Sequence, residues 1–169
     1  RVSHSLPEVL EVMNKESNNL CAEMVLRALA ANATQKDDAS SAELAIDELS
    51  RVLQARRIPV SEIALVDGSG ISFYNLITPH ALGEILRMMY GTDEFDTYKR
   101  SLAVASFDGT MSRRLSNVRG ANYIHAKTGT ISGVSALAGY ILPPNGRQLA
   151  FVLLMQNFTG SHSPYRRSQ

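Results

Sequence analysis

The sequence predicts an α+β fold in which helices pack with an antiparallel sheet. Apolar residues recur at helical spacing over most of the first 100 positions, whereas the last third is rich in β-branched, alanine and aromatic residues. The chain has 169 residues, of which 44% are hydrophobic and 20% charged, as in an ordinary globular domain. Repeats, low-complexity segments and interdomain linkers are absent from the sequence, so a single domain is predicted.

The first helical region covers residues 6–31, and its apolar pattern is interrupted by Asn14 and by the polar run from Ser17 to Asn19. Asparagine and serine compete for backbone hydrogen bonds and disfavour a helix interior. We therefore predict two helices with a break between them.

Three further helices are predicted from capping residues and from proline and glycine. A polar, turn-like stretch at residues 35–41 precedes the first of them. The helices run from Ser40 or Ser41 to about Arg57, from Thr78-Pro79 to Gly91, and from about Asp93 to Ala103.

Strands are predicted mainly at the end of the chain. Residues 63–66 form a short apolar run that enters a tight turn at residues 67–70, and a second turn lies at Asp108-Gly109. Residues 123–132, 134–142 and 148–158 then read as three strands, with the turn of the last hairpin at 143–146. This order predicts a three-stranded antiparallel meander.

Charge and cysteine usage exclude several classes of function. The 17 basic and 16 acidic residues give a net charge of +1, so no nucleic-acid partner is expected. Cys21 is the single cysteine and the four histidines are scattered, so we predict no internal disulfide, no metal site and no cofactor. No apolar run could span a bilayer and no secretory signal opens the sequence. The chain starts at Arg1 and runs directly into helical sequence, so we expect further residues upstream.

Ser17-Asn18-Asn19 is the first candidate motif. Ser17 lies four residues after Met13 and three before Leu20, where a continuous helix would place a core residue, and a polar group there needs a partner. Residues two apart on a helix face nearly opposite ways, so Ser17 and Asn19 share a site only if the helix breaks. Alternatively, Ser17 or Asn18 simply caps the next helix.

Lys127-Thr128-Gly129 is the second candidate motif, and it lies within a predicted strand. The Lys127 ammonium and the Thr128 hydroxyl suit a substrate carboxylate, and Gly129 lets a ligand approach the strand. The alternative is a lysine that protects an edge strand from aggregation, with Gly129 as a bulge.

Ser69 stands between glycines in the predicted tight turn, but it is not expected to be a nucleophile. A nucleophile elbow requires Gly-x-Ser-x-Gly, and position 67 is an aspartate. His125 shares a strand face with Lys127, and a packing role is predicted for it.

Ser-x-Asn followed by a strand-borne Lys-Thr-Gly resembles two of the three motifs of penicillin-binding proteins and serine β-lactamases. The chain is similar to the C-terminal part of the D-alanyl-D-alanine carboxypeptidase/endopeptidase family, low-molecular-mass penicillin-binding proteins of class C type whose transpeptidase-like domain carries a large insertion. Further matching blocks follow in family order: residues 5–10, 15–20 and 22–23, residues 67–72, 74–76 and 78–79, residues 107–111 with Arg114, and residues 126–134.

This resemblance implies a serine-type D-Ala-D-Ala carboxypeptidase, with or without endopeptidase activity, that forms an acyl-enzyme and is inhibited by β-lactams. It implies a β-lactamase-like domain, a place in the bacterial cell envelope, and peptidoglycan stems ending in D-Ala-D-Ala as substrates. The implied catalytic residues are Ser17, which passes a proton to the leaving amine, Asn19, which bonds the substrate backbone, and Lys127, which supports Ser17. The implied substrate-binding residues are Thr128, which binds the terminal carboxylate with Lys127, then Gly129, and Thr130, whose backbone N–H is an oxyanion-hole donor.

The nucleophile of such enzymes lies in a Ser-x-x-Lys motif, which this sequence lacks. The residues three before its four lysines are Val12, Ala33, Asp96 and Ile124. We therefore predict that residues 1–169 form the C-terminal part of a longer domain whose upstream remainder supplies the nucleophile, and that this part alone is inactive. The C-terminal helix of the family is likewise predicted to be absent after Phe158. Two alternatives stay open, a catalytically silent peptidoglycan- or β-lactam-binding module and a scaffold whose motifs are coincidental.

Overall fold

The computed structural model describes residues 3–32 and 39–168, and within them the chain forms two compact units. One unit comprises the chain up to Ser17 and again from Met89 onwards, and the other comprises residues 18–88. The chain passes from one unit to the other between Ser17 and Asn18, at the predicted helix break, and between Met88 and Met89, inside the helix Pro79–Tyr90. No linker sequence marks either position.

Five of the α-helices in the described ranges lie before residue 102: α1 (Leu6–Lys15), α2 (Asn19–Ala28), α3 (Ser41–Ala55), α4 (Pro79–Tyr90) and α5 (Phe95–Ser101). A further helix, α6 (Ser163–Ser168), lies near the end of the chain. The strands are β1 (Ile63–Ala64), β2 (Leu76–Ile77), β3 (Ala103–Val104), β4 (Ile124–Ile131), β5 (Val134–Ile141) and β6 (Leu149–Gln156).

Local capping explains where the early helices begin. Ser5 with Glu8 and Ser40 with Glu43 form capping boxes at α1 and α3, so the predicted cap at Ser40 is confirmed. The predicted pair of helices with a break between them is also confirmed. The polar stretch predicted at residues 35–41 falls largely outside the described residues.

The sheet of the first unit is antiparallel with the order β3-β4-β5-β6. Its three long strands confirm the predicted meander, but the sheet has a fourth strand that was not predicted. Ala103 was assigned to a helix, whereas α5 ends at Ser101 and Ala103 begins β3. A two-residue strand is too short to show a period-two pattern.

Three other expectations were wrong in whole or in part. The predicted strand at residues 63–66 has only two strand residues, Ile63 and Ala64, and pairs with the unpredicted β2. A short C-terminal helix, α6, is present where none was expected. Leu6, Leu20 and Met24 lie in the predicted apolar pattern but are 61%, 70% and 57% exposed among the described residues.

The two faces of the sheet carry different packing. Ala126 and Leu137 lie on the same face as Thr128 and belong to a buried cluster with Ala103, Ala105, Met111 and Ala121. Tyr140, on the opposite face, is 1% exposed and makes ring contacts with Tyr90, Phe95 and Tyr98. The sheet is thus covered on both sides near the middle of β5, which fixes the position of the neighbouring strand β4.

Candidate active site

Ser17 lies in the break between α1 and α2, outside either helix. It has a positive φ of 56° and an exposed side chain. The predicted break takes Ser17 out of the core-facing position that it would have in a continuous helix. The buried polar side chain of α1 is Asn14, whose Nδ2 donates to Ser101 Oγ at 2.8 Å.

The same break gives Asn18 and Asn19 separate positions. Asn18 caps α2, since its Oδ1 accepts a hydrogen bond from the Cys21 backbone N–H at 3.0 Å. The capping interpretation therefore holds for Asn18 and not for Ser17. Asn19 is the first residue of α2, lies in the second unit and is exposed. Its role on the substrate stays a prediction.

Lys127 is the residue that contacts Ser17. It lies in the middle of β4 opposite Ala138, and its Nζ donates to Ser17 Oγ at 2.8 Å and to the Thr128 carbonyl at 2.7 Å. Residues 110 positions apart in the sequence are thus hydrogen-bonded, as predicted for this pair.

Burial of the Lys127 ammonium lowers the pKa of this lysine from its ordinary value. Among the described residues, no carboxylate forms an ion pair with it. Lys15 contrasts with it: burial would lower the pKa of Lys15, but hydrogen bonds to Asp108 and Glu11 raise it overall. In the described part of the chain, the partners of this desolvated cation are therefore neutral oxygen atoms, an arrangement suited to stabilising negative charge nearby.

The backbone of β4 presents an open edge beside this lysine. β3 pairs only with His125 and Ala126, so β4 has no strand partner on that side beyond Ala126 within the described structure. Ala105 N–H donates to the Ile124 carbonyl at 3.0 Å, which shows that the even-numbered residues of β4 direct their backbone groups towards this edge. The Thr130 N–H therefore points towards the edge that no strand covers in the described structure.

The segment after β3 supports the Thr128 side chain. Thr128 Oγ1 donates to Thr110 Oγ1 at 2.9 Å. Asp108 accepts hydrogen bonds from Lys15 Nζ and from the Val104 backbone N–H, each at 2.7 Å. Gly109 has a φ of +49°, and a Cβ there would lie 2.5 Å from the Lys15 carbonyl oxygen. The predicted turn at Asp108-Gly109 thus packs against the end of α1 and holds the loop that carries Thr110 in place.

Gly129 has a packing reason to be a glycine. It lies opposite Ala136, and a Cβ at Gly129 would approach the Ala136 Cβ to 3.2 Å. This contact is on the Lys127 face of the sheet, away from the hydroxyls of Thr128 and Thr130. The predicted close approach of a ligand at Gly129 is not tested by this contact.

A cavity of about 1000 Å³ opens beside these residues, all within the first unit. Its lining includes the hydroxyl residues Ser17, Thr110, Thr128 and Thr130. Arg113, Arg114, Arg166 and His162 line it as well. Arg166 was not predicted as a site residue, and the sequence signal was only a basic pair near the end of the chain.

His125 and the other histidines show no sign of metal binding. No group of three or more potential metal-ligating residues occurs in the part of the chain that the structure describes. His125 is half-buried, burial lowers its pKa, and its Nδ1 has no hydrogen-bond partner among the described residues.

None of the helices in the described ranges is both long and apolar enough to cross a bilayer.

Comparison with known proteins gives one consistent result. The family model described as D-Ala-D-Ala carboxypeptidase 3 (S13) family matches residues 1–169. Penicillin-sensitive carboxypeptidase A of Dictyostelium discoideum is 36% identical over 84% of this chain, and D-alanyl-D-alanine carboxypeptidase DacB of Haemophilus influenzae is 30% identical over 94%. The crystal structure of H. influenzae penicillin binding protein 4 in complex with a β-lactam matches with a TM-score of 0.83 and 28% identity over 96% of this chain and 39% of that one.

The chain spans 27% and 33% of the length of these two curated relatives. The fold match confirms the predicted penicillin-binding type of α+β domain. The residue roles implied by the resemblance are not tested by these comparisons and stay predictions.

Proposed function

This chain belongs to the D-Ala-D-Ala carboxypeptidase 3 (S13) family, and from that membership we propose that the protein containing it is a serine-type D-Ala-D-Ala carboxypeptidase, with or without endopeptidase activity. The observation that carries the proposal is the hydrogen bond from Lys127 Nζ to Ser17 Oγ at the open edge of β4. It joins the two predicted motifs in one site. The nucleophile comes from the Ser-x-x-Lys segment upstream.

In the proposed reaction, the upstream serine attacks the carbonyl of the penultimate D-Ala, and its proton goes to the neighbouring lysine. Ser17 then passes its hydroxyl proton to the nitrogen of the departing D-Ala and recovers a proton from that upstream lysine, while Lys127 stabilises the charge that develops on the Ser17 oxygen. The Thr130 N–H donates to the oxyanion, and Asn19 bonds the substrate backbone. Water hydrolyses the resulting ester, whereas a β-lactam leaves a longer-lived acyl-enzyme.

The substrates we propose are peptidoglycan stems ending in D-Ala-D-Ala, so the enzyme acts in the cell envelope. A peptide added along the open edge of β4 would find the backbone groups of Thr128 and Thr130 unpaired by any strand. Such strand addition supplies affinity through main-chain hydrogen bonds without demanding particular side chains.

The complete protein tests this proposal. Release of D-Ala from a synthetic peptide ending in D-Ala-D-Ala, together with covalent labelling by penicillin, is the expected result. Lys127→Ala should lower both rates. Reversible penicillin binding without D-Ala release or an ester would contradict the proposal and identify a silent binding module instead.

A further inference from the structure

The arginine-lined part of the cavity is a feature that the proposed mechanism does not use. Arg166 Nη2 lies 3.4 Å from Thr130 Oγ1, and Arg114 Nη2 donates to the Arg166 carbonyl at 3.3 Å. Arg113 is exposed and lines the same cavity. The guanidinium of Arg166 is thus placed directly beside the second hydroxyl of the Thr128-Gly129-Thr130 segment.

This part of the cavity is strongly cationic. Its described lining contains three arginines and no aspartate or glutamate. The pKa of Arg114 is lowered mainly by burial and, to a smaller extent, by the positive charge of Arg166. Guanidinium groups and threonine hydroxyls together offer charged and neutral hydrogen-bond donors to one anion.

Side chains on the two faces of β4 can have different roles. Thr128 and Thr130 alternate with Lys127, so their hydroxyls lie on the opposite face of the strand. The Lys127 ammonium is already engaged by Ser17 and by the Thr128 carbonyl. A carboxylate bound by the two threonine hydroxyls would lie beside the Arg166 guanidinium, which is 3.4 Å from Thr130 Oγ1.

We propose that Arg166, held by Arg114 and flanked by Arg113, binds the terminal carboxylate of the substrate together with Thr128 and Thr130. Lys127 then serves Ser17 alone. This inference rests on the proposed function, and it assigns to arginine the charge recognition that the sequence resemblance assigned to Lys127. Planar guanidinium groups bind carboxylates with two parallel hydrogen bonds, which favours a free acid over an ester or amide.

The test uses the complete protein and compares acylation by a penicillin with acylation by the methyl ester of the same penicillin. Arg166→Gln should lower the acylation rate constant for the acid by about tenfold, because it removes one charged contact at an exposed position, and should change that for the ester less than about twofold. Arg166→Lys should restore part of the rate for the acid. Arg119→Gln is the matched control, since it removes the same charge from an exposed arginine that does not line the cavity.

If Arg166→Gln lowered the acylation rate constants for the acid and the ester equally, or lowered neither, the assignment to Arg166 would be overturned. Unchanged thermal unfolding of Arg166→Gln shows that a lost rate is not lost folding, and Arg166→Lys repeats the comparison with the charge retained. A wild-type protein that neither reagent acylates would instead contradict the proposed function, so the two failures are distinct.

Discussion

Ser17 occupies a backbone conformation that few residues other than glycine adopt. Its φ of 56° places its hydroxyl within 2.8 Å of Lys127 Nζ, in a break that separates two helices. Positive φ at a non-glycine residue costs about 1 kcal/mol or more and persists where the surroundings enforce it. The strain at Ser17 coincides with the residue whose hydroxyl is proposed to move a proton.

Ser17→Ala and Ser17→Gly form a matched pair that separates strain from chemistry. Both remove the hydroxyl, so both should lower kcat for D-Ala release by about 100-fold or more. Glycine relieves the positive φ, so Ser17→Gly should be about 0.5–1 kcal/mol more stable than Ser17→Ala in urea unfolding. Activity retained by Ser17→Gly alone would show that only the backbone conformation matters.

The charge of Lys127 should set the alkaline limit of activity. Burial lowers its pKa, so the protonated form that supports Ser17 is lost at a pH below that of an ordinary lysine. Between the folded and the unfolded pKa the unfolded chain binds more protons, so Lys127 makes folding stability rise with pH over that interval.

The alkaline limb of kcat/KM tests this assignment. Lys127→Arg keeps a charge that does not titrate in this range, so the limb should move to higher pH although the maximal rate falls. Lys127→Ala should remove the limb and lower the rate about tenfold more than Thr128→Ala, since a charged hydrogen bond contributes roughly 1.5–3 kcal/mol against about 1 for a neutral one. An alkaline limb that is the same in Lys127→Arg would assign it to another group.

At the scale of elements, sequence patterns predicted the long segments and missed the short ones. The three long strands and the helix starts at Ser40 and at Thr78-Pro79 were predicted because period and capping are local properties. β1, β2 and β3 have two residues each and carry no periodic signal. The Ser17–Lys127 contact was predictable only by combining two motifs, and Arg166 was missed because its place beside Thr130 depends on how the end of the chain returns to the sheet.

The pairing of β4 with β5 depends on close backbone contact at Gly139. A Cβ at this position would lie 2.1 Å from the His125 carbonyl oxygen and 2.7 Å from the Ala126 Cα. These atoms belong to the neighbouring strand and cannot move without shifting the strand that carries Lys127. Gly139 therefore allows the close pairing with β5 that positions β4, the strand that carries Lys127.

Gly139→Ala should destabilise the protein by about 1–3 kcal/mol and lower activity, because the inserted methyl group pushes β4 away from β5. Gly83→Ala is the control. Gly83 lies in α4, and a methyl group added there would meet no atom within 4 Å, so alanine should stabilise by about 0.5–1 kcal/mol through helix propensity. Urea unfolding of both variants measures the difference, and equal stabilities would show that the sheet tolerates the methyl group.

At the scale of the whole molecule, the site combines segments from both ends of the sequence. The first unit takes its first segment from the residues up to Ser17 and the rest from Met89 onwards, with a compact unit of residues 18–88 between them. The sequence predicted one domain because nothing in its composition marks the crossings. It also lacks Ser-x-x-Lys, whereas Ser17, Lys127, Thr128 and Thr130 are present.

The last prediction concerns this chain by itself. Incubated with a fluorescent penicillin, residues 1–169 should not become covalently labelled, because acylation requires a nucleophile beside a base and no serine here has a lysine three residues on. Without an ester bond, non-covalent contacts alone should be too weak to survive denaturing electrophoresis. Joining the upstream Ser-x-x-Lys segment to the chain, or adding it in trans, should restore labelling. A fluorescent band from the isolated chain that Ser17→Ala or Ser69→Ala abolishes would show that this chain carries its own nucleophile.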